Sequence, residues 1–150
     1  MESKKDVCKQ IAENKKARFN FFILDRFEAG VVLSGPEVKA IRASKVNFKD
    51  SYVDSSGFEL FLIDFHIQAL VPFGTFNPDR KRKLLLHKNE IIRIVSKMNE
   101  KGLTLIPLRI YFKNQNVKIE IGLAKGKTNY DKRSTLKERE TKKEMVKEKW

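Results

Sequence analysis

The sequence predicts a mainly β protein: an antiparallel OB-type barrel with short flanking helices and a basic C-terminal tail, disordered or helical. Three observations carry this. The middle of the chain holds six or more short apolar runs, separated by turn residues and by only two helix-like segments. Strands this short and close favour antiparallel pairing, because each parallel pair would need a crossover helix. After Ala124 the character changes, with almost no apolar residue before Met145-Val146.

The elements follow in order. Residues 1–13 are mixed in charge and unpatterned, and are expected to be a flexible N-terminus. The run FNFFIL from Phe19 to Leu24 is aromatic and β-prone and reads as a buried strand ending at Asp25. Val31-Val32-Leu33 reads as a second. Ser34 and Glu37 have the S-x-x-E spacing of a capping box, with Pro36 in the first turn, so a helix starts there. Its apolar stripe is Val38 and Ile41. Ser51–Asp54 and Phe58–Phe65 flank Ser55-Ser56-Gly57, a hairpin-type turn. Ile67–Val71 continues as strand, and Pro72 to Arg82, with Gly74, Asn77 and Pro78, reads as a long loop.

Leu84-Leu85-Leu86 leads into a helix over Lys88–Met98, where Ile91, Ile92, Val95 and Met98 repeat at helical spacing. Asn89 is its expected cap and Gly102 its stop. Leu103–Phe112 and Val117–Leu123 are two strands joined across Lys113–Asn116. Val117, Ile119, Ile121 and Leu123 alternate with Lys118, Glu120 and Gly122, so one face of that strand is buried. Pro107 in its partner implies an edge or a bulge. The barrel domain is thus expected over 14–124 and the basic tail over 125–150. In the tail, Thr135 and Glu138 repeat the capping-box spacing and Glu138–Lys142 is a favourable i,i+4 pair. With no apolar stripe, the tail is expected to be disordered alone and to fold on a charged partner, or else to stay a solvated tail.

The chain has 150 residues and a net charge of +13, from 32 Lys and Arg against 19 Asp and Glu. Its length favours one domain. No apolar run reaches the roughly 20 residues of a membrane span. The first residues lack the apolar core of a secretory signal, and the lone Cys8 suits a reducing compartment, so a cytoplasmic protein is expected. Where the charge sits matters more than its sum. Residues 1–18 hold six cations and three acids, 19–124 sixteen and eleven, and 125–150 ten and five. Within the middle span, Arg80, Lys81, Arg82, Lys83 and Lys88 account for the whole excess of five. Two termini and one loop around a neutral body suit an extended polyanion, whose counterions are released on contact. Solvated surface charge is the bland alternative for any one of these segments.

Catalytic sets are thin. The chain lacks G-x-x-x-x-G-K-[ST], G-x-G-x-x-G and H-E-x-x-H. Two histidines and one cysteine, scattered, make no zinc site. Asp25, Glu28, Asp54 and Asp64 show no convergence, which leaves a nuclease with little support. The expectation is a binding protein without cofactor or metal.

Several motifs then act together. Asn14-Lys15-Lys16-Ala17-Arg18, Phe27-Glu28-Ala29-Gly30 and Gly35-Pro36-Glu37-Val38-Lys39 with Arg42 resemble the N-terminal half of the small protein B (SmpB) family. Asn77-Pro78-Asp79-Arg80 followed by Arg82-Lys83-Leu84-Leu85-Leu86-His87 resembles its central signature. Ile121-Gly122-Leu123-Ala124-Lys125-Gly126-Lys127, then Tyr130-Asp131-Lys132-Arg133, resembles its C-terminal signature. The ordered set runs from about Asn14 to Glu140.

This resemblance implies a bacterial partner of transfer-messenger RNA (tmRNA) in trans-translation, the rescue of stalled ribosomes. The family's body is an OB-type barrel that binds the tRNA-like domain of tmRNA. Its tail becomes helical in the vacant messenger channel beyond the decoding centre of the stalled ribosome. Carried over by position, Glu28 and Lys83–His87 belong to the tmRNA surface, with Arg80 and Arg82 in the same signature. A glutamate suits RNA, since a carboxylate accepts from base amino groups or ribose hydroxyls while lysines take phosphates. Read from the residues alone, Leu85 and His87 fit core or contact equally. Asn14, Lys15, Lys16 and Arg18 form the basic N-terminal motif and Lys125 and Lys127 open the tail; the resemblance implies that these residues, with Arg80 and Arg82, also bind RNA. Asp131, Lys132 and Arg133 match the element that works in the decoding centre. Many members carry histidine after the Asn-Lys-Lys-Ala-Arg motif; Phe19 here keeps stacking and loses hydrogen bonding. A monomer is implied. The reading of another class is a general single-stranded RNA-binding or ribosome-associated OB-fold protein, which would need exposed aromatics on the barrel.

Overall fold

A computed structural model describes residues 8–70 and 77–127. The chain runs β1 (Cys8–Glu13), α1 (Lys15–Asn20), β2 (Phe21–Val31), α2 (Gly35–Arg42), β3 (Val46–Asn47), β4 (Tyr52–Ser56) and β5 (Glu59–Ile63). It continues β6 (His66–Ile67), β7 (Arg82–Leu85), α3 (Lys88–Lys101), β8 (Thr104–Lys113) and β9 (Asn116–Gly126). Strands β8, β4, β5, β7, β2 and β9 pair in that order, and β9 returns to β8, closing an antiparallel barrel. The expected mainly β, OB-type barrel with short flanking helices is what forms. The alternation in β9 turns Ile119, Ile121 and Leu123 inward, where they are fully buried with Leu60, Leu105 and Ile110. Each such side chain stabilises the fold by about 1.5–3 kcal/mol.

Helix α2 starts where its sequence says, with the Ser34 N–H donating to Glu37 Oε1 at 2.9 Å. It buries Ala40 and Ile41. Helix α3 is capped at His87, two residues before the expected Asn89, and buries Ile91 and Ile94 while Ile92 stays exposed. Gly102 ends it at φ +62°, in the left-handed region that glycine enters without strain. Pro107 sits at a bulge, as its presence implied: pairing of β8 with β9 shifts between Pro107 and Arg109.

Several expectations need correcting. The flexible N-terminus does not extend to residue 13, because β1 pairs with β8, Cys8 lying opposite Lys113. Phe19 and Asn20 end a helix, α1, that the aromatic run concealed. From Phe21 the strand runs unbroken to Val31, a bulge between Ile23 and Asp25 absorbing the polar residues that suggested a break. The β4–β5 turn is Gly57-Phe58, with Ser56 opposite Glu59, so of the expected Ser55-Ser56-Gly57 only Gly57 lies in the turn. Of the strand expected from Ile67 to Val71, only Ile67 among the described residues is in a strand, the two-residue β6, paired with β3. Residues 1–7, 71–76 at the end of that expected strand and in the expected loop, and 128–150 of the expected tail lie outside the described residues.

A smaller second core fixes α1 against the outside of the barrel. Ala17 packs with Ile106, Leu108 and Ala124, and Phe21 and Ile23 close over it. Gly122 permits this approach: a Cβ there would lie 3.0 Å from Leu108 Cδ1 and 3.1 Å from Ile23 Cγ2.

Candidate nucleic-acid interface

The antiparallel pairing of β2 with β7 decides which of the expected residues share a surface. Gly30 lies opposite Leu85 and Val31 opposite Leu84. Strand periodicity then sorts the basic segment. Arg82 and Leu84 point inward and are buried, whereas Lys81, Lys83, Leu85 and His87 are exposed. Leu85 keeps 52% of its surface in water. It can lie flat over β2 because a Cβ on Gly30 would come within 3.3 Å of its own Cβ. Across β2 on the other side, Glu28 is opposite Glu120 and Gly30 opposite Lys118 of β9. Beyond them, Tyr111 of β8 is opposite Lys118 and Arg109 opposite Glu120. Glu28, Lys83, Leu85 and His87 therefore occupy one outer face.

Glu28 is held there by two partners. The Tyr111 hydroxyl donates to Glu28 Oε2, and Lys113 Nζ approaches Oε1 at 3.3 Å. The Tyr111 hydrogen bond holds the Glu28 carboxyl below its ordinary range, against the opposing effect of burial, with Lys113 adding to the shift. Burial, then Glu28, push the Tyr111 phenol well above its usual value. At neutral pH the pair is thus a carboxylate and a neutral donor. The guanidinium of Arg109 lies 4.7 Å from the Tyr111 ring centre and bonds Glu120 through Nε at 3.1 Å. The carboxylate remains partly exposed, with lone pairs free for an amino or hydroxyl donor. The β8 residues Tyr111, Arg109 and Lys113 carry no motif; only their alternation in a strand paired to β9 could have revealed them.

Two residues expected at the RNA surface are structural instead. Arg82 is fully buried. Its Nε donates to Glu37, Nη1 to the carbonyls of Phe65 at 2.6 Å and Arg80 at 3.0 Å, and Nη2 to Pro78 O at 3.0 Å. Asn14 is buried at the start of α1, where its side chain accepts from the Ala17 N–H at 3.2 Å and donates to Pro107 O at 2.9 Å. Its own N–H bonds Leu108 O at 2.7 Å, so Asn14 satisfies both carbonyls at the β8 bulge. Arg80 is intermediate: one guanidinium nitrogen bonds Glu37 at 2.6 Å and the side chain is 42% exposed.

The remaining cations gather at the far end of β2. Lys15, Lys16 and Arg18 are exposed on α1, Lys16 pairing with Asp50 at 2.7 Å and Arg18 with Glu13 at 2.8 Å. Lys125 lies opposite Phe22, and Lys127 Nζ is 5.0 Å from the Phe22 ring centre. Six residues of strand separate Phe22 from Glu28, about 20 Å at ~3.3 Å each. The expected contacts thus form two groups, one at each end of a single strand. Asp131, Lys132 and Arg133 lie outside the described residues. Among the described residues, no three of His, Cys, Asp and Glu come together to hold a metal ion.

A family model described as SmpB protein matches residues 11–149. The chain belongs to the SmpB family. An SsrA-binding protein of Orientia tsutsugamushi (strain Boryong) is 49% identical over 144 residues, 94% of each chain. One from Desulforudis audaxviator is 48% identical over 147 residues, covering 97% of this chain and 94% of that one. A chain from the solved structure described as "tmRNA-SmpB: a journey to the center of the bacterial ribosome" is 41% identical. It superposes with a TM-score of 0.67, over 83% of this chain and 93% of that one. Membership of the SmpB family thus rests on nearly the full chain, both groups of cations included.

Proposed function

We propose that this chain is a tmRNA-binding protein of trans-translation. The barrel binds the tRNA-like domain of tmRNA through the face that holds Glu28, Lys83, Leu85 and His87, and delivers it to stalled ribosomes. The cations of α1 and Lys125–Lys127 meet ribosomal RNA. The segment beyond them, with Asp131, Lys132 and Arg133, works in the decoding centre and the empty message channel. The role is binding without a chemical step, in the cytoplasm, as a monomer. The observation that carries this reading is the one outer face on which two segments far apart in the chain, around Glu28 and around Lys83–His87, come together. Lysines there suit phosphates, and a fixed carboxylate suits base amino groups or ribose hydroxyls. Among the described residues, no helix is long and apolar enough to cross a membrane.

The test is a titration with the tRNA-like domain and an unrelated RNA as competitor. Glu28→Gln keeps the shape and removes the charge. A hydrogen bond to a charged group is worth about 1.5–3 kcal/mol, so specific affinity should fall roughly 10- to 150-fold. Binding to the competitor should barely change. Equal affinity of the parent for both RNAs would instead favour the general RNA-binding reading, which the exposed Phe22 and Phe58 rings would serve.

A further inference from the structure

Glu120 of β9 lies opposite Glu28 of β2 on one side and opposite Arg109 of β8 on the other. Opposed residues in antiparallel strands share a face, so Arg109 stands two strand spacings, about 10 Å, from Glu28. Arg26, two residues before Glu28, projects to the same side of β2. Both arginines reach the Glu120 carboxylate. Arg109 Nε donates to Oε2 at 3.1 Å, and Arg26 Nη1 lies 3.5 Å from Oε1.

Two carboxylates directly opposite each other repel, so Glu28 and Glu120 need cations. Lys113 serves Glu28 and Arg109 serves Glu120. Arg26 is then a second cation on a carboxylate that already has one. Among the described residues, Glu120 Oε1 is buried and accepts no hydrogen bond, and the Arg26 side chain, 54% exposed, donates none. Glu13 of β1 is opposite Arg109 in turn, but it pairs with Arg18 at 2.8 Å. Arg26 and Arg109 therefore carry one positive charge more than Glu120 cancels. The Arg109 guanidinium is also fixed against the ring of Tyr111, whose hydroxyl holds Glu28, so one side chain sets both ends of the arrangement. An RNA strand that offers a base or ribose to Glu28 carries its backbone past these forks, and a guanidinium takes phosphate oxygens two at a time.

We infer that Arg26 and Arg109, with Glu120 between them, bind backbone phosphates of the RNA whose base or ribose meets Glu28. The inference rests on the proposed tmRNA reading and adds two contacts outside the motifs that mark the family in this sequence. Titrating the tRNA-like domain at several salt concentrations tests it. One phosphate contact contributes about 0.7–0.9 to the slope of log K against log salt, so Arg26→Gln and Arg109→Gln should each lower the slope by that amount. Each should weaken binding roughly 5- to 8-fold at about 0.1 M salt and match the parent near about 1 M. Arg26→Lys keeps the charge and should keep the parental slope. Lys101→Gln removes an exposed charge at the end of α3 and should leave slope and affinity parental. An exposed ion pair is worth about 0–1 kcal/mol, so Arg26→Gln should melt within about 4 °C of the parent. If Arg109→Gln melts lower through loss of its contact with Tyr111, Arg26→Gln alone decides. A parental slope in Arg26→Gln, with affinity lost in Glu28→Gln, would overturn the phosphate contacts and keep the face. An equal fall in Lys101→Gln would reduce the effect to net charge and overturn them as well. Parental slope and affinity in both Arg26→Gln and Glu28→Gln would remove the face and the reading it supports.

Discussion

The sharpest structural prediction concerns Glu37, which joins two distant parts of the chain. It accepts from the Ser34 N–H and from the side chains of Arg80 and Arg82, and it is 1% exposed, as buried as Arg82 itself. Glu37→Gln would leave the Arg82 guanidinium in the interior without its counter-charge. Breaking a buried pair from one side costs about 3–5 kcal/mol. Three carbonyls still hold Arg82, so the lower end applies, against a total stability of about 5–15 kcal/mol. At roughly 2–4 °C per kcal/mol for a chain of this size, the melting temperature should fall by about 6–12 °C. Thermal and urea unfolding followed by circular dichroism, on Glu37→Gln, Arg82→Met and the double variant, measure the shift in melting temperature and the free-energy losses. The double variant should lose less than the sum of the singles, because neither charge is then stranded. Additive losses, or a Glu37→Gln loss under 1 kcal/mol, would refute the assignment. The pH dependence gives an independent sign. Burial raises the Glu37 carboxyl, but the Ser34 amide and the two guanidiniums outweigh it and leave it below its ordinary value. Its contribution is therefore fully present above the unfolded value of 4.5 and fades as pH falls through the lower folded value. Glu37→Gln should flatten the acid limb of the stability curve.

Two further outcomes follow from the geometry. Tyr111→Phe removes the donor that keeps Glu28 ionised, so the Glu28 carboxyl should rise towards its ordinary value and specific RNA binding should fail at a higher pH on acidification; dissociation constants across a pH series check this. Asn14→Ala removes the cap of α1 and the partner of Pro107 O, and should cost about 1–2 kcal/mol in urea melts with RNA affinity unchanged.

What was legible in the sequence was whatever a short window determines. Ser34, Pro36 and Glu37 mark the start of α2, and Val117–Leu123 declares an inward face, because capping and strand alternation act over a few residues. Strand β1 was not legible, since CKQIAE has no pattern of its own and is held by pairing with β8. Helix α1 was hidden because its anchor is one small residue, Ala17, packed on Ile106 and Leu108 from nearly a hundred residues away. The site shows the same division. Motifs brought Glu28 and Lys83–His87 together by resemblance, while Tyr111 becomes visible only through the register of β8 on β9.

The net charge of +13 read as a measure of contact with a polyanion, and the fold revises that measure. Of the five cations between Arg80 and Lys88, Arg82 is spent on Glu37 inside the protein and Arg80 is shared with it. Lys81, Lys83 and Lys88 are the ones whose counterions a bound RNA can displace, so this segment contributes a count nearer three than five to the salt dependence of binding. Charge in sequence carries no direction; a strand gives it one, sending alternate residues to opposite sides of the same sheet. The two arginines bonded to Glu37 still serve the contact. With Glu37 they tie α2 to the start of β7, and that tie holds the exposed lysines and Leu85 in register beside Gly30 and Glu28.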